Sequence, residues 1–447
     1  LDQLTIRRRE ENVTLPLSRF VSFIGSEMEC HDGQLPRAPQ HIVEDEVFQH
    51  WLKWIKAHFQ FQYFNDGSPY PFQKHIPSAR SIHSLVPFLI YSGHLFMYSD
   101  SSNMLHYIGY HESKRHDVEL VVGVDVWRTC SVYGSFGLAL CLLELGHMIG
   151  SLKIEAKLKN MSMHKTLYMF HRSHYLKLFG MELPSDMLMG CVCQFHVPAN
   201  ASECHASAHA TRTFLHDYRK RYTYQQELMH IGVLHYMTDD ALNSEVEEDM
   251  VVQSDWKLPD ALQHTRMERS SDHTYTGLLD LSKPMKKEVW DDILTLLEEV
   301  RQHFIYADRF SIYVVVQQVE GVERGVYDVE KGKCTLRNAN VHLREVWLDP
   351  YDYMNVDVMP SFFYVTYKAE EKRESRDIYY AHVFAGEMMQ SMSRYLSSTC
   401  NMYVRPVKSY RDDILAEITR LDHKERIIYG VLAGTSHASN KIGVGEH

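Results

Sequence analysis

The sequence predicts an α+β protein built as two related modules fused head to tail. Three observations predict it. A long-period repeat pairs the halves: Glu144-Leu-Gly-His-Met-Ile-Gly-Ser151 matches Phe384-Ala-Gly-Glu-Met-Met-Gln-Ser391, so Gly146, Met148 and Ser151 recur 240 positions later as Gly386, Met388 and Ser391. The same offset carries Met187-Leu-Met-Gly190 onto Ile427-Ile-Tyr-Gly430, leaving the two anchor glycines 44 residues apart in each half. Helical and strand-like apolar patterns then follow one another in the same order in both copies.

Taken along the chain, Phe88-Leu-Ile-Tyr91 reads as a strand, and Met97-Tyr98 with Leu105 as the hairpin after it. They echo Ile312-Tyr-Val-Val-Val316, then Val326-Tyr327 and Leu336, at an offset of about 229. The rise from there to 240 predicts an insertion of about eleven residues in the second copy, between Trp347 and Tyr367, a tolerated loop-length difference. Leu138, Cys141, Leu142, Leu145, Met148, Ile149 and Leu152 form an apolar stripe at three- and four-residue spacing and predict a long buried helix. Its counterpart spans Tyr379 to Tyr395, and Arg411-Asp-Asp-Ile-Leu-Ala-Glu-Ile418 predicts a shorter amphipathic helix. Each copy thus runs strand, hairpin, strand, long helix, second helix, closing strand. The acidic, Pro-containing stretch Ser244 to Asp260 marks the boundary, giving modules at 1–245 and 260–447.

Length and composition agree with this plan. A chain of 447 residues has room for two or three domains, and 45% hydrophobic with 23% charged residues is ordinary globular usage. A formal charge of -11 argues against a general nucleic-acid binder, which needs a basic face, while tolerating a cationic peptide. The apolar run Phe136 to Leu143 meets Glu144 well short of the roughly 20 residues that span a bilayer, so it reads as a core helix and no membrane is expected. No charged region followed by an apolar one opens the sequence, and a cytoplasmic location is the expectation. Eight scattered cysteines form no dense framework, so reduced thiols are expected.

Cys191-Val-Cys193, His196, Cys204, His205 and His209 mix metal-ligand types that would suit zinc. The repeat instead sets Cys191 and Cys193 opposite Val431 and Ala433 on the closing strand, where alternation buries small side chains, and no metal is expected. His147 reads as a helix residue satisfied by packing.

Several of these motifs resemble the SagB-type dehydrogenases, the nitroreductase-like FMN subunits of enzymes that make thiazoles and oxazoles in streptolysin- and cyanobactin-like peptides. That family shows Arg-Arg-Ser-x-Arg, then Pro-Ser-Ala-Gly before a strand, a Gly-x-Tyr hairpin, and Lys-Tyr-Gly-x-Arg leading into Leu-Leu-Glu-x-Gly-His. Here Pro77-Ser-Ala-Arg-Ser-Ile-His-Ser-Leu-Val-Pro87 matches the second element, Tyr133-Gly134 with Leu142-Leu-Glu-Leu-Gly-His147 the last, and Arg269-Ser270 the first. Copy one has Val132 in place of the family's lysine; copy two has Lys372 and Arg376 at the equivalent places but Arg373 for the tyrosine. Neither half carries the whole motif set.

The resemblance implies a covalent pseudo-dimer with one composite FMN site. Its phosphate would be held by Arg266, Arg269 and Ser270, with Lys408 and Arg411 after the long helix, since FMN needs cations and hydrogen-bond donors. Pro77 and Ser78 of copy one would lie beside the isoalloxazine; the corresponding Ala307-Asp-Arg-Phe310 of copy two has lost that segment. Lys372, as base, and Tyr133, as relay, are the catalytic candidates, because a lysine with a lowered pKa can take a proton from the azoline ring carbon. The implied function is FMN-dependent oxidation of azolines to azoles in a precursor peptide, beside a cyclodehydratase and with dioxygen as final acceptor. Two alternatives stay open: an inactive scaffold or peptide-binding subunit, and an NAD(P)H-dependent nitro or flavin reductase, although no Gly-x-Gly-x-x-Gly follows a strand.

Overall fold

The computed structural model describes residues 38–64, 72–100, 103–111, 118–168, 175, 178–179, 187–196, 251–252, 256–267, 283–339, 341–347, 359–369, 374–408, 410–435 and 442–443. In the first module, helix α1 (Glu46–Phe59) precedes strands β1 (Leu85–Tyr91), β2 (His94–Ser99), β3 (Met104–Tyr110) and β4 (Val118–Val124). Helices α2 (Val126–Tyr133) and α3 (Phe136–Leu158) follow, then β5 (Met163–Tyr168) and β6 (Leu188–Phe195). The second module runs α4 (Lys287–Gln302), β7 (Phe310–Val316), β8 (Gly325–Glu330), β9 (Lys333–Ala339), β10 (Ser361–Lys368), α5 (Glu374–Ser398), β11 (Met402–Val407), α6 (Asp412–Thr419) and β12 (Glu425–Thr435).

The two sheets repeat one topology, as the offset predicts. Strands order β3-β2-β1-β4-β6-β5 in the first and β9-β8-β7-β10-β12-β11 in the second, the first extended beyond β5 by Val251–Val252. The named neighbours pair antiparallel throughout. Residues 340–360 connect β9 to β10 where 111–117 connect β3 to β4, which places the longer connection in the second copy.

One expectation is corrected: a strand directly follows the long helix in each copy, β5 in the first and, ahead of α6, β11 in the second. It pairs with the closing strand, Leu167 opposite Val192 and Val404 opposite Ala433. The long helix of copy two is also longer than expected, Glu374–Ser398.

Period-two alternation gives each sheet two buried faces. Val86, Phe88 and Ile90 pack with Tyr175 and Phe179 on the outer side, while Leu85, Leu89 and Tyr91 join the central core. The second sheet does the same, with Tyr313, Val315 and Phe362 packed on Leu415 of α6, and Ile312, Val314 and Phe363 facing inward. α1 presents Phe48, Trp51, Ile55 and Phe59 to this core and is capped by Asp45, whose carboxylate accepts the N–H of Val47 at 2.8 Å.

α3 and α5 cross at the centre. A Cβ on Gly146 would run into the Val383 carbonyl oxygen and lie 2.9 Å from Gly386 Cα, and one on Gly386 would run into the Leu143 carbonyl oxygen. Only glycine permits this backbone approach. Gly146 thus touches its own repeat counterpart, the isologous contact of a two-fold dimer, here within one chain. By length and composition α3 is apolar enough to cross a membrane, yet 94% of that window is buried inside the protein.

Candidate functional site

The segment leading into β1 carries Pro77 and Ser78. Gln73 pairs with Tyr63, and His75 Nε2 lies 2.8 Å from Ser151 Oγ on α3, so the segment is pinned before it turns. Arg80, Ser81 and His83 then adopt φ of 51°, 52° and 55°, a cluster of left-handed non-glycine residues that persists only where its surroundings hold it. Ser78 Oγ accepts the His83 N–H at 2.9 Å and donates to Glu144 Oε2 at 2.9 Å; Ser84 Oγ donates to the same oxygen at 3.1 Å. Burial pushes the Glu144 carboxyl up, against the pull of the Ser78 hydrogen bond and of the Lys74 charge.

Tyr133 ends α2, where Gly134 at φ 57° turns the chain into α3. The Arg80 guanidinium sits over its ring at 5.2 Å from the centroid. Pro77-Ser78, Tyr133 and the Leu142–His147 motif therefore meet on one flank of copy one. Lys372, Arg269 and Ser270 lie outside the described residues.

Copy two reaches the same flank through Thr265–Met267. The Arg394 Nε donates to Thr265 Oγ1 at 2.9 Å, the Arg266 N–H donates to Ser398 Oγ at 3.1 Å, and the Tyr63 hydroxyl donates to the Met267 carbonyl at 3.4 Å. Arg266 itself is exposed. Lys408 and Arg411 are not brought to it. They follow β11, whose six residues at about 3.3 Å each separate them from the Ser398 end of α5. Lys408 Nζ donates to the Ile427 carbonyl at 3.2 Å, and burial pushes its pKa down; Arg411 pairs with Asp413 at 3.8 Å.

Polar groups missing from the sequence reading lie beside this flank. Both side-chain amide atoms of Gln73, His58 Nε2, Ser81 Oγ and Arg394 Nη1 are buried without a partner among the described residues. His58 lies 5.5 Å from the His75 ring, and burial lowers its pKa to about 4. Amide, imidazole, hydroxyl and guanidinium are the donors and acceptors that the pyrimidine edge of a flavin takes, so the residues present fit that end of FMN. The phosphate end would fall to Arg266, with Arg269 and Ser270.

The pseudo-symmetric flank differs. Where copy one has Glu144, copy two has Phe384, stacked on Phe304 at 4.6 Å and met edge-on by Tyr168 at 5.1 Å, with Tyr380 and Phe310 completing the cluster. Arg309 there pairs with Asp377 at 3.2 Å.

Between the flanks the modules are joined by buried polar bonds. Lys153 of α3 pairs with Glu387 of α5, and the Tyr168 hydroxyl donates to the second oxygen of Glu387 at 2.7 Å. Arg394 pairs with Glu155. His147 lies 2.7 Å from Gln390 Oε1 and 3.0 Å from the Tyr429 hydroxyl, fully buried, the satisfied helix residue that packing requires. Cys191 and Cys193 are buried on β6 in the central core, and burial pushes the Cys191 thiol up. Among the described residues no three His, Cys, Asp or Glu side chains form a metal-holding group; Cys204, His205 and His209 lie outside them.

No protein-family model matches the chain, and no curated protein matches it. Among solved structures, a protein designated a nitroreductase from Anabaena variabilis matches 90% of this chain and 90% of its own at 13% identity, with a TM-score of 0.60. The microcin synthetase McbBCD complex of E. coli with truncated pro-MccB17 bound matches 41% of this chain and 74% of its own, at 11% identity and a TM-score of 0.31. A protein designated a nitroreductase from Ralstonia eutropha matches 41% and 85%, at 15% identity and a TM-score of 0.29. The last two scores are too low to carry an argument, and 13% identity in the first speaks for the fold alone. The chain therefore has a nitroreductase-like α+β fold, as a fusion of two modules.

Proposed function

We propose that this chain is a cytoplasmic flavin-dependent oxidoreductase, holding one FMN between its modules and oxidising azolines to azoles in a ribosomally made precursor peptide, beside a cyclodehydratase. The observation that carries the flavin reading is the meeting, on one flank, of Pro77-Ser78, Tyr133 and Glu144 of copy one with Thr265–Met267 of copy two, around buried polar groups that lack partners. The azoline step is supported only by the motif resemblance.

When bound, FMN would supply the acceptor for the hydride that leaves one azoline ring carbon as the neighbouring ring carbon loses a proton, with dioxygen as the final electron acceptor. Arg266, Arg269 and Ser270 would hold its phosphate, and Gln73 and Arg394 would supply hydrogen-bonding groups for its polar edge. The Pro77–Ser84 segment, held by Glu144, would orient the ring. Lys372 would take the proton from the neighbouring ring carbon, and Tyr133, with the Arg80 charge over its ring, would relay it to solvent.

A flavin-free scaffold is the second reading, favoured by Val132 in place of the family's lysine and by the prior engagement of Ser78 and Tyr133. An absorbance scan of protein expressed with ample FMN separates the two: oxidised-flavin bands support the enzyme, and their absence supports the scaffold. Turnover of an azoline peptide then distinguishes this reading from a nitro or flavin reductase, which would instead consume NAD(P)H. Lys372→Ala should keep flavin bound while slowing azoline oxidation by about 100- to 10,000-fold. Arg269→Ala should weaken FMN binding by roughly ten- to hundred-fold and be rescued by added FMN.

A further inference from the structure

We infer that Glu144 is the positioning residue that keeps the copy-one flank competent for a ligand, and that its repeat counterpart Phe384 closes the pseudo-symmetric flank. The ligand named, FMN, rests on the function proposed above; the positioning role does not.

Glu144 is a carboxylate inside an otherwise apolar helix stretch, 3% exposed, with one oxygen accepting three bonds. Ser78 Oγ, Ser84 Oγ and the Ser84 N–H reach Oε2 at 2.9, 3.1 and 3.4 Å, so both ends of the left-handed turn are tied to a single atom of α3. The other oxygen lies 3.9 Å from His83 Nδ1 within the turn. The carboxylate acts beside the Arg128 Nη1–H donated to the His83 carbonyl at 3.2 Å and the Asp125 N–H donated to the Ser84 carbonyl at 2.8 Å, and it ties the start of a turn in which three non-glycine residues hold positive φ to α3. A buried carboxylate is expensive, and its retention where the repeat has phenylalanine marks a polar requirement on one flank only.

Phe384 removes that requirement on the other. It lies face to face with Phe304, interplanar angle 8°, so the space next to the Phe304–Arg309 turn is filled by rings, and the position that holds the Glu144 carboxylate in copy one holds no polar atom here. Two positions related by the repeat thus hold opposite chemistries, and the fold is left with one ligand-competent flank.

The test uses the full chain, with trypsin cleavage after Arg80 and FMN titration followed by flavin-fluorescence quenching. Glu144→Ala should be cleaved at Arg80 about ten-fold faster or more and bind FMN about ten- to hundred-fold more weakly, whereas Glu144→Gln should match wild type, because one amide oxygen accepts the same bonds. Wild type should titrate to a single equivalent of FMN. If Glu144→Ala fails to fold, Ser78→Ala/Ser84→Ala removes the hydroxyl donors without touching the helix and is read the same way. Unchanged cleavage at Arg80 in the variant read, or Glu144→Gln as impaired as Glu144→Ala, overturns the Glu144 role; a second FMN equivalent in wild type overturns that of Phe384. Should wild type bind no FMN, the flavin reading fails, and the order of cleavage rates still decides the positioning role.

Discussion

His58 donates its Nδ1–H to the Trp54 carbonyl at 2.8 Å, which leaves Nε2 a buried bare acceptor and favours the neutral ring. Burial depresses its pKa from 6.5 to about 4, and burial with the Lys408 charge depresses that of His382 to about 3. A depressed folded pKa means stability present above pH 6.5 and lost as pH falls through 4, on the order of 3 kcal/mol for His58 alone. Urea unfolding of His58→Phe should therefore lose less stability than wild type between these pH values; equal losses would contradict the assignment. Glu387 makes the opposite case, an ion buried with its partners. Glu387→Ala leaves Lys153 inside the protein with the Tyr168 hydroxyl but without its carboxylate partner and should cost about 3–5 kcal/mol by denaturant unfolding, most of it recovered in Lys153→Met/Glu387→Ala. At this scale the local motifs that contain Ser78, Tyr133 and Glu144 stood in the sequence, while the contacts that bring the three together did not. Gln73, Arg394 and Lys153 were not, since only packing between the halves gives them a role. The contrast of Glu144 with Phe384 stood in the repeat alignment and was a readable signal.

The crossing of α3 and α5 tests the elements. Alanine is a better helix former than glycine by about 1 kcal/mol, so in an isolated helix Gly146→Ala would stabilise. Here the new methyl meets the Val383 carbonyl, and the variant should melt at a lower temperature than wild type, with Gly386→Ala behaving alike. A raised melting temperature for both would mean that the helices do not approach as described. The long helices and the sheet strands between them were legible from periodicity and from the 240-residue offset. β11 was hidden for a physical reason: Pro406 interrupts its run and removes a ladder donor, which is tolerated because β11 forms the sheet edge. β5 alternates poorly, as Met163-His-Lys-Thr-Leu-Tyr168 shows, and its pairing partner Val251–Val252 lies far along the chain. The convergence of Lys408 and Arg411 with Arg266 was not realised, since this unforeseen strand lies between them.

The whole molecule reproduces a symmetric dimer within one chain, and the fusion frees its two flanks to diverge. In a homodimer any substitution acts twice, whereas here Glu144 and Phe384 change independently. One flank keeps buried polar groups and the segment that resembles the flavin family; the other is packed with rings. Released flavin per chain, measured by absorbance after denaturing protein that was saturated with FMN and desalted, tests this directly. The account predicts one equivalent per 447-residue chain; two equivalents would contradict the asymmetry, and none would contradict the flavin site itself.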